Sequence, residues 1–291
     1  MPALAAGGRL DVDSYRRDGL AMSPVPMPEP VMAGIREDLA AYLLDDPSAV
    51  PDFVPDLMAN GFGLRYGSHP VILDAVSRVL GEDVLLWACG MFGKPARVGK
   101  PTPWHQDGHY WPIRPLATCT VWLALDRSDT RNGGLRYVAG SHRAGKLLNH
   151  QRADGGRTTL NQTLELDEDQ LASVRTTALD PGWFTVHDVY LVHGSSANES
   201  GFRRAGITFR YMPASSFYDR ELARQQHREL GVPDISGRVL YLVRGQAGPG
   251  RNDTIDARGA WMDALTVNQA VLDGAAPDRT PIDGGTPRSS V

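Results

Sequence analysis

The run GFRRAGITFRYM (201–212) sorts by parity: Arg204, Gly206, Thr208 and Arg210 fall on one side of an extended chain, and Ala205, Ile207, Phe209 and Tyr211 on the other. Successive side chains of a strand point to opposite faces. The apolar face suits packing against helices, and the polar face, where a glycine makes room, suits a pocket wall. A chain with such a strand folds around a sheet that is covered on one side and hollow on the other.

Two further runs read as strands, TCTVWLAL (118–125) and WFTVHDVYLVH (183–193), both rich in β-branched and aromatic residues. Turn signals separate them: NGG (132–134), GSH (140–142) and DPG (180–182). Upstream the pattern is helical. Val31, Ile35, Leu39 and Leu43 recur every four residues after a proline-rich segment, and Ile72, Val76 and Val79 mark a helix over 70–80 with Gly81 as its stop. Helices followed by short strands predict a mainly β fold with flanking helices and a jelly-roll, cupin-like double sheet as its core. With no internal repeat, residues 1–291 are expected to form a single domain. It divides into a mostly helical part over 1–84, a β core over 85–215 and an extension over 216–291 whose last forty residues pack partly over the barrel. Within the core, the polar stretch 143–175 reads as an insertion, either a mobile lid or a solvated excursion.

The net charge of −4 offers no basic field for a phosphate backbone or an anionic membrane, and no apolar run approaches a membrane span. Cys89 and Cys119 form no CxxC pair, which excludes a disulfide framework and a cysteine zinc site. The N-terminus lacks the basic and apolar regions of a signal peptide. These readings predict a cytoplasmic protein with a small-molecule partner and no nucleic acid or membrane partner.

The chemistry centres on WHQDGHYW (104–111). In a strand His105 and Asp107 share a face and can offer an imidazole and a carboxylate to one divalent ion. His193, ending the 183–193 run, supplies a third ligand from elsewhere in the chain. Two histidines and a carboxylate leave three coordination positions open, enough for a bidentate 2-oxo acid and O₂. Eleven residues later comes Arg204, on the polar face, suited to a two-pronged grip on a carboxylate. Arg203 faces the opposite way. His109 shares parity with His105 and Asp107, but three ligands at two-residue spacing would spread over roughly 13 Å, too far for one ion. His187 reads as structural or as a rim residue, His142 as a turn residue, and Asn198 as a tie for its own loop. Lys94, Tyr110, Trp111 and Arg210 are each either substrate contacts or ordinary surface and packing residues.

WHQDGHYWPIRP, TVWLAL, GSHR and HDVYLVHGSSANESGFRRAGITFRY together resemble the phytanoyl-CoA dioxygenase family, over residues 85–215 and more loosely over SYRRDGLAMSPVPMPEPV. The resemblance implies a double-stranded β-helix and an oxidoreductase using Fe(II), 2-oxoglutarate and O₂. His105, Asp107 and His193 then match the iron ligands, Arg204 the arginine on the 2-oxoglutarate tail, Ser195 a serine on the same carboxylate, and Trp122 a tryptophan lining the cosubstrate pocket. Asp107 fills the position that halogenating relatives leave to a small residue. A zinc hydrolase would have no use for Arg204 and Ser195. The expected reaction is hydroxylation of an unactivated C–H bond of a small molecule, such as a secondary metabolite, free rather than bound to coenzyme A. The alternatives are a non-catalytic cupin-like binding protein, or an oxygenase performing desaturation, cyclisation or epimerisation.

Overall fold

A computed structural model describes residues 8–43, 50–58, 61–153, 156–248 and 250–261. Along the chain come α1 (Val12–Asp18), β1 (Leu20–Met22), α2 (Glu29–Asp38), β2 (Phe53–Val54), α3 (Phe62–Gly67) and α4 (Pro70–Leu80). The central strands are β3 (Val84–Lys94), β4 (Thr102–His105), β5 (Ile113–Arg114), β6 (Cys119–Ala124) and β7 (Leu135–Val138). Then follow β8 (Gln151–Arg152), β9 (Gln162–Thr163), α5 (Glu168–Ala172), β10 (Val174–Thr176), β11 (Phe184–Asp188) and β12 (His193–Ser195). The chain continues with β13 (Arg204–Pro213), β14 (Phe217–Tyr218), α6 (Arg220–Leu230), β15 (Leu240–Arg244) and β16 (Thr254–Asp256).

An eight-stranded sheet runs β1-β11-β6-β13-β3-β15-β16, with β2 also on β3, and a four-stranded sheet runs β10-β7-β12-β4. Every pairing is antiparallel except β15 with β16. No ladder joins the two sheets among the described residues, so the jelly roll stays an open sandwich rather than a closed barrel. The parity of β13 decides the layering. Ala205, Ile207, Phe209 and Tyr211 are fully buried in a core shared with Ile35 of α2, Tyr66 of α3 and Ile72 and Val76 of α4. The opposite face of β13 looks across a cavity toward the smaller sheet. Pro70 starts α4 where its missing N–H costs nothing, and Gly81 ends it at φ 88° with its N–H on Ser77 O.

The structure departs from the sequence reading in five places. WFTVHDVYLVH is two strands in different sheets, because the Asp188 carboxylate accepts from the Tyr190 N–H at 2.8 Å and turns the chain between them. The strand at 102–105 gives way after Gln106 to a 3-10 turn over Asp107–Tyr110. The 143–175 stretch carries β8, β9, α5 and part of a sheet, β10. Leu164 is buried there, and Leu148 and Leu166 pack with it against Val138 and Val192, which anchors a segment read as mobile or solvated. Of the last forty residues, β16 adds to the edge of the main sheet along β15 rather than lying over it, and residues 262–291 lie outside the described residues. The part over 1–84 also contributes β1 and β2 to the main sheet.

Ile207 is wholly buried between sheet and helices. Ile207→Ala is expected to lower unfolding free energy by about 2–5 kcal/mol, measured by urea denaturation; a loss under about 0.5 kcal/mol, the range of surface changes, would show that this face is not the core.

Candidate metal centre and pocket

Strand β12 pairs with β4 so that His193 stands opposite His105, their ring centroids 4.2 Å apart. Asp107 reaches the same point from the first residue of the 3-10 turn. All three side chains are buried, and one ligand atom from each lies within 4.8 Å of the others. Asp107 Oδ1 is 3.6 Å from His105 Nε2 and 3.9 Å from His193 Nε2. Its other oxygen, Oδ2, accepts from the Thr120 hydroxyl at 2.7 Å, so one oxygen is held by the sheet and the other faces the histidines.

The ring orientations suit a metal. His105 Nδ1 lies 2.9 Å from Pro103 O, and His193 Nδ1 lies 2.9 Å from Leu191 O. A ring nitrogen facing a carbonyl must carry the proton, which leaves each Nε2 with a free lone pair toward Asp107. Burial, and then the neighbouring His105, push His193 well below the usual imidazole range, so it is neutral. Two imidazole nitrogens and a carboxylate oxygen are a donor set that fits a divalent transition metal with open positions.

Gln106, between two members of the cluster, is itself clamped. Its N–H donates to His150 Nε2 at 3.0 Å, its side-chain amide donates to Lys146 O and Tyr190 O, and its Oε1 accepts from the Leu148 N–H at 2.7 Å. The 146–150 segment is thus tied to the backbone of the metal cluster.

A cavity opens from the three side chains along the polar face of the large sheet. The side chains of this face stand in rows across adjacent strands, His187, Thr120 and Arg210 in one, then Thr185, Trp122 and Thr208, then Ala124 and Gly206; His187, Thr120, Arg210, Trp122 and Thr208 line the cavity. Arg204 lies beyond them, opposite Lys94. Arg204 is buried, its guanidinium 4.9 Å from the centre of the Trp122 ring, with Nε and Nη2 donating to Gly133 O at 3.1 and 2.5 Å. Burial pulls its pKa down to about 10, which leaves it charged at neutral pH. Arg203 turns the other way and meets Asp126 at 3.2 Å. Ser195 and Trp122 line the same cavity.

His187 is buried in the cavity wall rather than at a rim, with Nε2 3.6 Å from Asp107 Oδ2 and both ring nitrogens without a hydrogen-bond partner among the described residues. The signal was present: Phe184 and Val186 alternate with Thr185 and His187 as the two faces of β13 do. Lys94 is neither solvated nor in the cavity wall. It is buried, donates to Lys100 O, and is pushed down to about 6 by burial and by Arg204 beside it. His109 stacks on His150 at 4.0 Å, away from the three-residue cluster. Asn198 ties its loop through Phe202 O and Ser200, and also holds the end of β3 through Lys94 O.

The rows leave no room at Gly206, where an added Cβ would lie 2.1 Å from Trp122 Cζ2. Gly206→Ala is expected to displace the indole from its place beside Arg204 and to cost about 1–3 kcal/mol by overpacking. Denaturation and the near-ultraviolet circular dichroism of the tryptophans check this; an unchanged spectrum and stability would contradict the packing.

The chain is 32% identical over 190 residues to the peroxisomal phytanoyl-CoA dioxygenase of Bos taurus, covering 62% of this chain and 56% of that protein. It is 29% identical over 153 residues to a probable alpha-ketoglutarate-dependent hypophosphite dioxygenase of Stutzerimonas stutzeri, covering 50% of this chain and 51% of that one. It thus spans little more than half the length of these relatives. Among solved structures, the non-heme monooxygenase ThoJ in its apo form superposes with a TM-score of 0.58 at 23% identity, over 90% of this chain and 98% of that one, a likeness of fold. The sequence model of the phytanoyl-CoA dioxygenase family matches residues 16–206, a span holding the three clustered side chains and Arg204; the chain belongs to the phytanoyl-CoA dioxygenase family.

Proposed function

We propose that this protein is an Fe(II)- and 2-oxoglutarate-dependent oxygenase that hydroxylates an unactivated C–H bond of a small molecule. The observation that carries this reading is the juxtaposition of a buried two-histidine, one-carboxylate cluster with a cavity that ends in a buried arginine. His105 and His193 would hold the iron through Nε2, and Asp107 through Oδ1. Arg204 keeps N–H groups beyond those on Gly133 O, and these bind the distal carboxylate of 2-oxoglutarate, with Ser195 beside it and the Trp122 ring against the guanidinium. When bound, the metal with 2-oxoglutarate and O₂ supplies the oxidising power for breaking the C–H bond. The residues of this chain orient the reactants and exclude water. Thr120 keeps Asp107 from rotating, the carbonyls of Pro103 and Leu191 keep the imidazoles aimed, and the two sheets screen the reacting centre from bulk solvent.

Membership of the family supports this reading, as does the relative named as a probable alpha-ketoglutarate-dependent dioxygenase. A free small molecule, rather than a membrane or nucleic acid, suits the net charge of −4. No helix among the described residues is long and apolar enough to cross a membrane. A cytoplasmic setting goes with Cys89 and Cys119, both free and buried.

Two measurements test the assignment. Asp107→Ala and His193→Ala are each expected to abolish stoichiometric Fe(II) binding in anaerobic titration while the far-ultraviolet spectrum is kept; wild-type affinity in either would remove the triad. Arg204→Ala is expected to weaken 2-oxoglutarate binding by roughly 10- to 100-fold, the loss of a charge-assisted contact of about 1.5–3 kcal/mol. Arg203→Ala should change it little, and the reverse ranking would move the carboxylate site.

A further inference from the structure

Arg210 stands on the cavity face of β13, six residues from Arg204, so their backbones are roughly 20 Å apart at about 3.3 Å per residue. Its direct cross-strand neighbour is Thr120, the residue that holds Asp107. One strand face therefore carries a guanidinium at each end of the cavity.

The two are differently satisfied. Arg204 is anchored on Gly133 O. Arg210 makes no hydrogen bond or ion pair among the described residues; its Nε is sealed from solvent without a partner, and its guanidinium lies 5.7 Å from the centre of the Trp111 ring. Burial disfavours its charge, and so does Arg238, a second guanidinium whose Nη1 is 3.4 Å from Asp56 Oδ2 and whose Nε is likewise sealed and unpartnered. Asp107 relieves this in part, but its carboxylate faces the histidines and Thr120. The aromatic cluster that holds Trp111 leaves two further polar atoms unpaired. Trp87, packed edge-on against Trp111 at 5.0 Å, has a buried indole N–H with no partner, and the buried Tyr110 hydroxyl has none either. A partly buried guanidinium in the cavity wall, its Nε sealed and unpartnered, calls for an anion from outside the chain.

We propose that this end of the cavity binds a carboxylate carried by the primary substrate, gripped by Arg210 against the face of Trp111, so that the substrate is an organic acid. The inference takes from the proposed function only that the cavity admits a substrate beside the metal and 2-oxoglutarate. A planar guanidinium with five donors matches a carboxylate, and the Trp111 ring beneath it holds its plane.

The test uses matched pairs, each acid with its primary amide: hexanoate and hexanamide, benzoate and benzamide, 3-phenylpropionate and 3-phenylpropanamide. Binding to the full chain loaded with Zn(II), with and without saturating 2-oxoglutarate, is read by saturation-transfer NMR and by quenching of tryptophan fluorescence. At least one acid is expected to bind roughly tenfold or more tightly than its amide. Arg210→Gln should abolish that preference, Arg210→Lys should keep part of it, and neither should alter 2-oxoglutarate affinity. No acid binding, equal binding of acid and amide, a preference that survives Arg210→Gln, or one abolished by Arg204→Gln instead would overturn the proposal. If Arg210→Gln lowers the melting temperature and leaves the preference intact, the arginine serves packing alone and the proposal falls. Failure of wild-type protein to bind 2-oxoglutarate would strike the preceding reading instead, and the acid–amide comparison is still read without it.

Discussion

Burying a guanidinium is the demand around which this pocket is arranged. Arg204 gives up bulk water, and a charge in that position needs partners in fixed places. A backbone carbonyl at Gly133, an aromatic face at Trp122 and the absent side chain at Gly206 meet that need together. Gly206 and Trp122 belong to adjacent strands, so the register between β6 and β13 is set by a steric fit as well as by the ladder. A one-residue slip would turn Arg204 toward the helices and the apolar set toward the cavity.

The same logic explains why a metal cluster can be assembled from distant segments. His105 and His193 meet because β4 and β12 are paired, and their Nδ1 atoms are fixed by carbonyls two residues back in each case. The side chains need no partner outside the local chain to choose their tautomer. Only Asp107 depends on the other sheet, through Thr120. The site therefore spans both layers, and the distance between the sheets becomes part of its geometry.

Parity was the legible signal. It placed β13, chose Arg204 over Arg203, and set helices on one side of the sheet. It failed where the chain stops being straight. Read as one strand, 183–193 would hold His187 and His193 roughly 20 Å apart; the turn at Asp188 brings their rings to 4.7 Å. The same failure hid the 3-10 turn after Gln106, since nothing in HQDGHY breaks an extended pattern except one glycine. The packing of the stretch 143–175 is hidden in the sequence because its anchors are few. Leu148, Leu164 and Leu166 are scattered among polar residues, with no period to reveal that they share one cluster. Arg210 stood on the right face, but its lack of a partner is a property of three dimensions alone.

The clamp at Gln106 has a mechanical consequence. Its amide side chain holds both the 146–148 backbone and Tyr190 O, while its own backbone joins two members of the metal cluster. A force that lifts the 146–150 segment is therefore transmitted through one residue to His105 and Asp107, and through Tyr190 toward His193. The segment and the cluster are thereby joined through a single side chain. Local opening there has to break the clamp as a unit, so the amides of Leu148 and Gln106 share a single opening event and the same free energy of protection from exchange.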